Sequence, residues 1–458
     1  MGPVASLLRK GSLNATGMVA GGALGLLTRV VLARNLGPSG FGLLSEAFAV
    51  LTFFSIVAML GYHDSLPRPG GGRFYPAFFS SFSLSMFLTA LLLVAVSVFS
   101  LPAVFKVFAL SLPGLVGLRV VVAGYRAEND VRKKVVFGDL VYSATVLLAA
   151  FGTFLFPEPV TGAAAYTIGA WMAFVPALAS YFRNYPARKT LDGLHQLLRS
   201  SAPLALADIF SYGIGWVNVV LLGWLVGPGS AGLYVAAMTL ALVFQFARVS
   251  LRYSYLPMAS GNKKEGMAEI TRELSGILAL GAIPVFLAMV FQSRVLLSLV
   301  FGPGYARAAT ALVLMSLTGI IHLFLGFSGE LLLAERSTIY ETFARFTGFS
   351  VLIAVAAALP YGLETAALAY FSGTLAMDIV RLQLTGWPRI MDVDARAVAA
   401  AVLPAPVLLM PFTGLLLYPF LYLSAAYLLK PLAPSDLEAI EEMGGETFLQ
   451  LAERFSRR

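Results

Sequence analysis

Arg29, Arg119, Arg248, Arg252 and Arg345 all fall inside long apolar runs of the sequence. An ionised side chain near the centre of a membrane helix costs about 2.5–3.5 kcal/mol, so each must face protein or water rather than lipid. Arg248 and Arg252 are four apart and share a helical face, with Tyr253 and Tyr255 close by. The other reading of that pair is an anchor at the cytoplasmic end of its helix. Arg34 lies near the outer end of its run, where snorkelling explains it. Together the embedded arginines describe a cavity suited to an anion.

Acidic residues in the same runs are Glu46, Asp139, Asp208, Glu330, Glu364 and Asp378. Counted from the turn at Gly37 and Pro38, Arg29 and Glu46 lie at nearly the same depth. Two readings stand: a structural ion pair across the hairpin, or Glu46 holding Arg29 beside a polar cavity. Asp378 and Arg381, three apart, are expected to pair with each other. Asp208 has no basic neighbour in sequence and is the leading candidate for a coupling ion or proton. Its alternative is an arginine partner from another helix. Glu330 joins Glu46 and Asp208 as cavity support or ion coupling. Asn14, Asn218, Gln245 and His322 read first as polar glue between helices. Tyr212, Trp216 and Phe246 offer faces on which sugar rings can stack.

Other chemistries lack their residues. Without cysteine there is no disulfide, thiolate nucleophile or cysteine-bound metal. The three histidines, His63, His195 and His322, are far apart and without ligand spacing, so no metal site is expected. No nucleophile with a base, Gly-rich phosphate loop or Walker A sequence is visible. The expectation is therefore no enzyme, no ATP hydrolysis and no cofactor. The net charge is +8, but the basic residues sit in short loops, so topology explains them and nucleic acid is not implied. Arg9 and Lys10 precede a full-length span without a cleavage site, so no cleavable signal is expected.

The elements that position these residues are membrane helices. The 458 residues are 58% hydrophobic and 12% charged, with a mean hydropathy of +0.82. A soluble chain would carry roughly 25% charged residues. Apolar runs of about 20 residues, long enough to cross a core of about 30 Å, recur from end to end. None alternates like a barrel strand, which leaves helices. The expected spans are 12–36, 40–62, 76–100, 102–127, 135–156, 160–183, 202–226, 230–256, 270–291, 307–333, 339–359, 364–384, 395–410 and 413–429. The fold class is thus all-α and polytopic, with about fourteen transmembrane helices. Lys and Arg concentrate in alternate loops, such as Arg126, Arg132, Lys133 and Lys134, or Lys263, Lys264 and Arg272. The other loops are nearly bare, which places both termini in the cytoplasm and the chain in the cell membrane.

The chain also repeats itself. Gly37-Pro38-Ser39-Gly40-Phe41-Gly42-Leu43 returns as Gly227-Pro228-Gly229-Ser230-Ala231-Gly232-Leu233. Val30-Val31-Leu32 matches Val220-Leu221-Leu222 upstream, and Pro67 matches Pro257 downstream. Ala163-Ala164-Ala165-Tyr166 resembles Ala367-Leu368-Ala369-Tyr370 more weakly. Two six-helix lobes follow, 1–183 and 202–386, with appended helices at 387–430 and a cytoplasmic tail at 431–458. Two-lobe transporters built this way hold substrate between the lobes. The linker 184–201 sets Leu191, Leu194, Leu197 and Leu198 on one face, as an amphipathic helix lying on headgroups would. In the acidic tail, Phe448, Leu451, Ala452 and Phe455 recur at helical spacing. Docking on the cytoplasmic face and a solvated tail both remain open.

The stretch Thr28-Arg29-Val30-Val31-Leu32-Ala33-Arg34-Asn35-Leu36-Gly37-Pro38-Ser39-Gly40-Phe41-Gly42, with Leu60-Gly61 ending the second span, resembles the first-hairpin signature of the polysaccharide-transport (Wzx-type) flippases. These belong to the multidrug/oligosaccharidyl-lipid/polysaccharide exporter superfamily, with twelve or fourteen helices in two six-helix lobes. Helix count, repeat and short loops extend the resemblance over essentially the whole chain. It implies movement of an isoprenoid-(pyro)phosphate-linked oligosaccharide from the cytoplasmic to the outer leaflet. By position it puts Arg29 of the first helix and Arg248 or Arg252 of the eighth in the cavity, and makes the last helix pair a groove for the lipid tail. Guanidinium forks suit a pyrophosphate. The implied partners are the lipid-linked oligosaccharide and membrane lipids, with a glycan polymerase or glycosyltransferase left open and a monomer expected. Competing readings are a multidrug or cation antiporter of the same superfamily, a lipid II flippase, and a membrane glycan ligase or polymerase. The last would need a large outer loop, and the first would place acids at the cavity centre.

Overall fold

The computed structural model describes residues 3–67, 74–185, 191–259, 264–325, 338–385, 395–410 and 412–429, with single positions at 328, 329, 332, 431 and 456. Side chains are described throughout these except at 3–13, 15, 246–259, 264–277, 395 and 396. Helices follow one another in chain order. They are α1 (Pro3–Met59), α2 (Tyr62–Ser65), α3 (Phe74–Val98), α4 (Ala103–Ala127), α5 (Val131–Phe154), α6 (Pro159–Asn184), α7 (Leu194–Leu225) and α8 (Pro228–Ala259). Then come α9 (Lys264–Phe291), α10 (Ser293–Phe301), α11 (Pro303–Leu325), α12 (Thr338–Ala358), α13 (Leu363–Thr385), α14 (Ala395–Val402) and α15 (Thr413–Leu429).

The expected spans coincide with helix where they are described, except 395–410, which is α-helical only to Val402 and continues through a turn into a short 3-10 helix. Among the described residues nine helices are long and apolar enough to cross a membrane, or ten if the pair meeting at 89° between α9 and α10 is one span. The first of the nine is two spans in one, because α1 breaks at Gly37 (φ 65°, ψ 176°). That backbone favours glycine, and the following Pro38 has no N–H with which to continue the ladder. The α13 segment carries Glu364, Asp378 and Arg381, and α14 and α15 are short. The chain is a polytopic all-helical membrane protein. The linker's leucines Leu194, Leu197 and Leu198 stand on the first turns of α7, continuous with its span. The acidic tail from 432 to 455 lies outside the described residues.

The chain forms two compact units. The first comprises Met1–Val235 with Leu359–Ala366, the second Ala236–Ala358 with Ala367–Arg458. In the first unit α4 is buried on nearly every side and packs against α6, α3 and α1. Small residues permit this closeness: a Cβ on Gly117 would meet the ring of Phe174. The outward faces of α3 and α5 are apolar, with Phe87, Val94 and Leu148 exposed as lipid requires.

The two repeated turns of this unit meet reciprocally. A Cβ on Gly42 would collide with the carbonyl of Pro228, and one on Gly232 with the carbonyl of Pro38. Equivalent positions of the two repeats thus make equivalent contacts, which is what a two-fold relation between copies produces.

In the second unit α9 packs on α11 and α14, and α14 on α15. Polar ties fix the last two helices. Gln292 donates to the carbonyls of Leu408 and Met410 (3.0 Å to the latter), and Tyr418 to that of Ala401 at 2.9 Å. Tyr422 donates to the carbonyl of Leu280. Apolar contact between Leu408, Tyr418 and Leu287 completes the seam.

Candidate functional site

In the first unit a set of aromatic and basic side chains converges from five helices. Arg29, two turns before the break in α1, places its guanidinium carbon 6.0 Å from the centre of the Trp216 ring. Tyr212 stands one turn before Trp216 on α7, so the two rings lie nearly parallel at 6.1 Å and 12°. The Tyr212 hydroxyl donates to the carbonyl of Ala49, which fixes its ring. Phe48, on the second arm of α1, meets Trp216 at 5.6 Å, Tyr166 at 5.1 Å and Phe108 at 6.0 Å.

Arg119 enters from α4 and donates Nη1 to the Ser55 hydroxyl at 3.0 Å. Tyr142, Tyr212 and Asp208 are within electrostatic range of its charge. Tyr142 feels both Arg119 and Arg29, and Tyr166 feels Arg29, so the two arginines flank one patch of phenols. Arg29, Arg119, Tyr142, Tyr166, Tyr212 and Trp216 are deep in the unit but only half-buried. Together they form one wall that keeps accessible surface. Such a wall combines guanidinium donors for an anion with flat faces for a ring.

Glu46 is buried and stands against Gly223 of α7, where a Cβ would overlap its carboxylate. Its Oε1 has no hydrogen-bond partner among the described residues. No ion pair joins it to Arg29 there, so the pairing considered from their equal depth is not formed in this structure. Asp208 has a histidine beside it, His63 Nε2 at 3.4 Å from Oδ2, and lies within electrostatic range of Arg119. His63 is in turn 3.7 Å from Asp64, which lies 3.6 Å from Arg126. Asp139 pairs with Lys134 at 2.7 Å. The π-helical segment Lys134–Val141 brings residues five apart onto one face.

The second unit treats its charges differently. Arg381 donates to Asp378 at 3.1 Å, as their spacing led one to expect, and also to Glu341. Arg345 donates Nε to Glu341 at 2.7 Å, and His322 Nδ1 lies 2.7 Å from Asp378. Glu341, Asp378 and Arg381 are buried. Arg345, expected to face an anion, is here bound to a carboxylate, and His322 is part of the same network. Asn218 is glue as expected: buried in the first unit, it donates to the Ala366 carbonyl at 3.0 Å and accepts from Tyr361 at 2.9 Å.

The side chains of Arg248, Arg252 and Phe246, and the whole of Glu330, lie outside the described residues. Sequence reasoning missed Phe48, Tyr142, Tyr166, His63 and Glu341. Only Glu341 carried a local signal, four residues before Arg345 on one helix. Tyr142 and Tyr166 come to the arginines through tertiary packing alone.

Known proteins match this architecture. Solved structures include the lipid II flippase MurJ in an inward closed conformation, with a TM-score of 0.72 at 14% identity over 91% of this chain and 98% of that one. An inward-facing multidrug resistance MATE family transporter of the MOP superfamily gives 0.61 at 15% identity, covering 81% and 94%. MATE in complex with MaL6 gives 0.59 at 15%, covering 85% and 99%. At such identities the likeness is one of fold. No curated protein matches the chain in sequence. A family model described as polysaccharide biosynthesis protein matches residues 7–261, which include every residue of the arginine and aromatic cluster. The chain belongs to the polysaccharide biosynthesis protein family and has the fold of the multidrug/oligosaccharidyl-lipid/polysaccharide exporter superfamily.

Proposed function

We propose that the protein is a flippase that carries an isoprenoid-(pyro)phosphate-linked oligosaccharide from the cytoplasmic to the outer leaflet by alternating access. The observation that carries this reading is the arginine and aromatic wall of the first unit, in a member of a polysaccharide biosynthesis family. Arg29 and Arg119 bind the phosphates through charge-assisted hydrogen bonds, each worth about 1.5–3 kcal/mol. Arg248 and Arg252 are further candidates for the same anion. Tyr212, Trp216 and Phe48 present rings to the first sugar. The lipid tail stays in the bilayer, with α14 and α15 as its groove.

The distribution of basic loops puts both termini in the cytoplasm and the chain in the cell membrane. The lobes are 1–183 and 202–386, and the protein acts as a monomer on a lipid-linked glycan. One negative charge moved outward through an inside-negative potential gains about 2.3 kcal/mol per 100 mV, which biases direction.

The test is leaflet exchange of a fluorescent isoprenyl-pyrophosphate oligosaccharide in proteoliposomes. Exchange by the wild type, lost in Arg29→Gln with Arg119→Gln, is expected. Exchange untouched by both substitutions removes the arginines from the site. A second reading is favoured by the fold shared with MATE transporters: uptake of organic cations without lipid exchange would make this a cation antiporter. Exchange confined to lipid II would make it a lipid II flippase.

A further inference from the structure

Helix α5 leaves the α register soon after it begins. Lys134–Val141 form a π-helix, between an α-helical turn at Val131–Lys133 and the α-helix that starts at Tyr142. π-helices are rare, are mostly single-turn bulges, and occur often at functional sites. Here the register makes one contact. Lys134 Nζ lies 2.7 Å from Asp139 Oδ2. In an α-helix five residues turn through about 500°, which would set the two side chains about 140° apart. The pair therefore exists because of the π register.

Glycines on either side let this segment in. A Cβ on Gly17 of α1 would overlap the Val135 side chain, and one on Gly21 would strike the Asp139 carbonyl. Gly138 in turn lies on Val122 of α4. The segment is wedged between the two helices that carry Arg29 and Arg119. Arg29 is about 12 Å beyond Gly21 along α1, and Arg119 is one turn before Val122. Tyr142 follows three residues after Asp139 and is within electrostatic range of both arginines. Residues 137–145 are all half-buried. Lys134 and Asp139 thus continue the wall of arginines and phenols toward the end of the unit at which α4 leads into α5.

The other cations of this connection behave as loop charges do. Arg132 is exposed, Arg126 lies 3.6 Å from Asp64, and Lys133 lies 3.5 Å from Asp130. Of the four, only Lys134 is buried. An excess of basic residues in a loop does not require one of them to turn into the bundle. A buried ammonium needs a counter-charge, and Asp139 supplies it. The Asp139 side chain itself remains about a fifth exposed, so water can take up its carboxylate when the pair opens.

We infer that Lys134 is a third anion-binding residue of this wall, and that Asp139 holds its place until a phosphate arrives. The phosphate meets Lys134 at the end where α4 leads into α5 and displaces the carboxylate. Arg119 and then Arg29 receive it further along. One ion pair is exchanged for another, and no covalent bond forms or breaks. The part that Lys134 plays in transport rests on the flippase reading; its binding of phosphate does not.

The test is binding of geranylgeranyl pyrophosphate and of inorganic pyrophosphate to the full-length protein in detergent, with thermal unfolding read alongside. Lys134→Gln should weaken both ligands about tenfold, the loss of one charge-assisted hydrogen bond. Asp139→Asn should tighten both about threefold, the size of a partly screened ion pair, because Lys134 then has no competitor. Its unfolding midpoint should fall all the same, so binding and stability move in opposite directions. A pair that only stabilises α5 gives weaker or unchanged binding in Asp139→Asn, and either result overturns the inference. Should Lys134→Gln not fold, Lys134→Arg keeps the cation and should bind as the wild type does, while Asp139→Asn still decides the sign. A contrast confined to the isoprenyl compound overturns recognition of the phosphate by Lys134, as does a wild type that binds neither compound. Leaflet exchange of the fluorescent lipid-linked oligosaccharide is measured on the same proteins. Opposite shifts in binding without any exchange by the wild type remove the flippase reading and keep Lys134 as an anion ligand. Exchange without those shifts removes Lys134 alone.

Discussion

In the second unit Arg345 and Arg381 meet carboxylates at hydrogen-bond distance, in a network that also takes in His322. In the first unit Arg29 lies over an indole, and Arg119 is bonded to a serine hydroxyl within a half-buried ring of phenols. Both arrangements place cations deep in an apolar bundle, where an unmatched charge is expensive. The second settles that cost internally, with two carboxylates for two guanidinium groups. The first sets Arg29 over an indole and Arg119 on a hydroxyl, with phenols and Asp208 in electrostatic range. Under the flippase proposal the second arrangement serves stability, and the first is the one that meets the anion.

The largest effect that follows is on stability. Arg381→Met leaves Glu341 and Asp378 buried with their principal cation gone, and breaking such a pair from one side costs about 3–5 kcal/mol. Thermal unfolding in detergent should show a large drop in midpoint, or no folded protein at all. An unchanged midpoint would mean that the network is not what holds α12 to α13.

Next comes the first unit, in which function and stability should separate. Arg29→Gln and Arg119→Gln should each slow lipid exchange by about ten- to a hundredfold, from contacts worth roughly 1.5–3 kcal/mol. Their unfolding midpoints should stay near the wild type, because both side chains keep accessible surface. If either unfolds as Arg381→Met does, the two regions are not different in kind.

Arg345→Gln sharpens the boundary. Glu341 keeps Arg381, so the expected loss is about 1 kcal/mol in stability with lipid exchange unchanged. A collapse of exchange to the level of Arg29→Gln would return Arg345 to the anion site that its depth in the sequence suggested. The same measurement would show that an ion pair seen in one conformation is released in another.

These contrasts explain what could be read from the chain alone. The spans were legible because apolar runs of membrane length have no other way to satisfy their backbone. The break at Gly37 and the repeat at Gly227 were legible because turn chemistry is local. That Asp378 would pair with Arg381 followed from helical spacing. The histidine beside Asp208 was not legible, since His63 lies on a short helix remote in sequence. Nor was the gathering of Tyr142 and Tyr166 around two arginines, which depends on α4, α5 and α6 packing at distances no periodicity encodes. The pairing of Glu46 with Arg29 was misjudged because equal depth says nothing of azimuth: one faces Gly223 and the other Trp216.

The smallest expected effect is the most diagnostic. A guanidinium over an indole is worth about 0.5–1 kcal/mol at a partly exposed site, so Trp216→Leu should weaken binding of isoprenyl pyrophosphate only two- to fivefold. It acts on that ligand through Arg29, and in the Arg29→Gln background the same substitution should cost nothing further. Adding the oligosaccharide changes the expectation, because a sugar that rests on the ring is lost with it. Trp216→Leu should then weaken binding again in both backgrounds. A double-mutant cycle measured with and without the glycan separates the two roles. If the cycle closes additively without the glycan, Trp216 does not position Arg29. If the glycan adds no penalty, the rings are packing, and the aromatic wall loses its claim to the sugar while the arginines keep theirs to the phosphate.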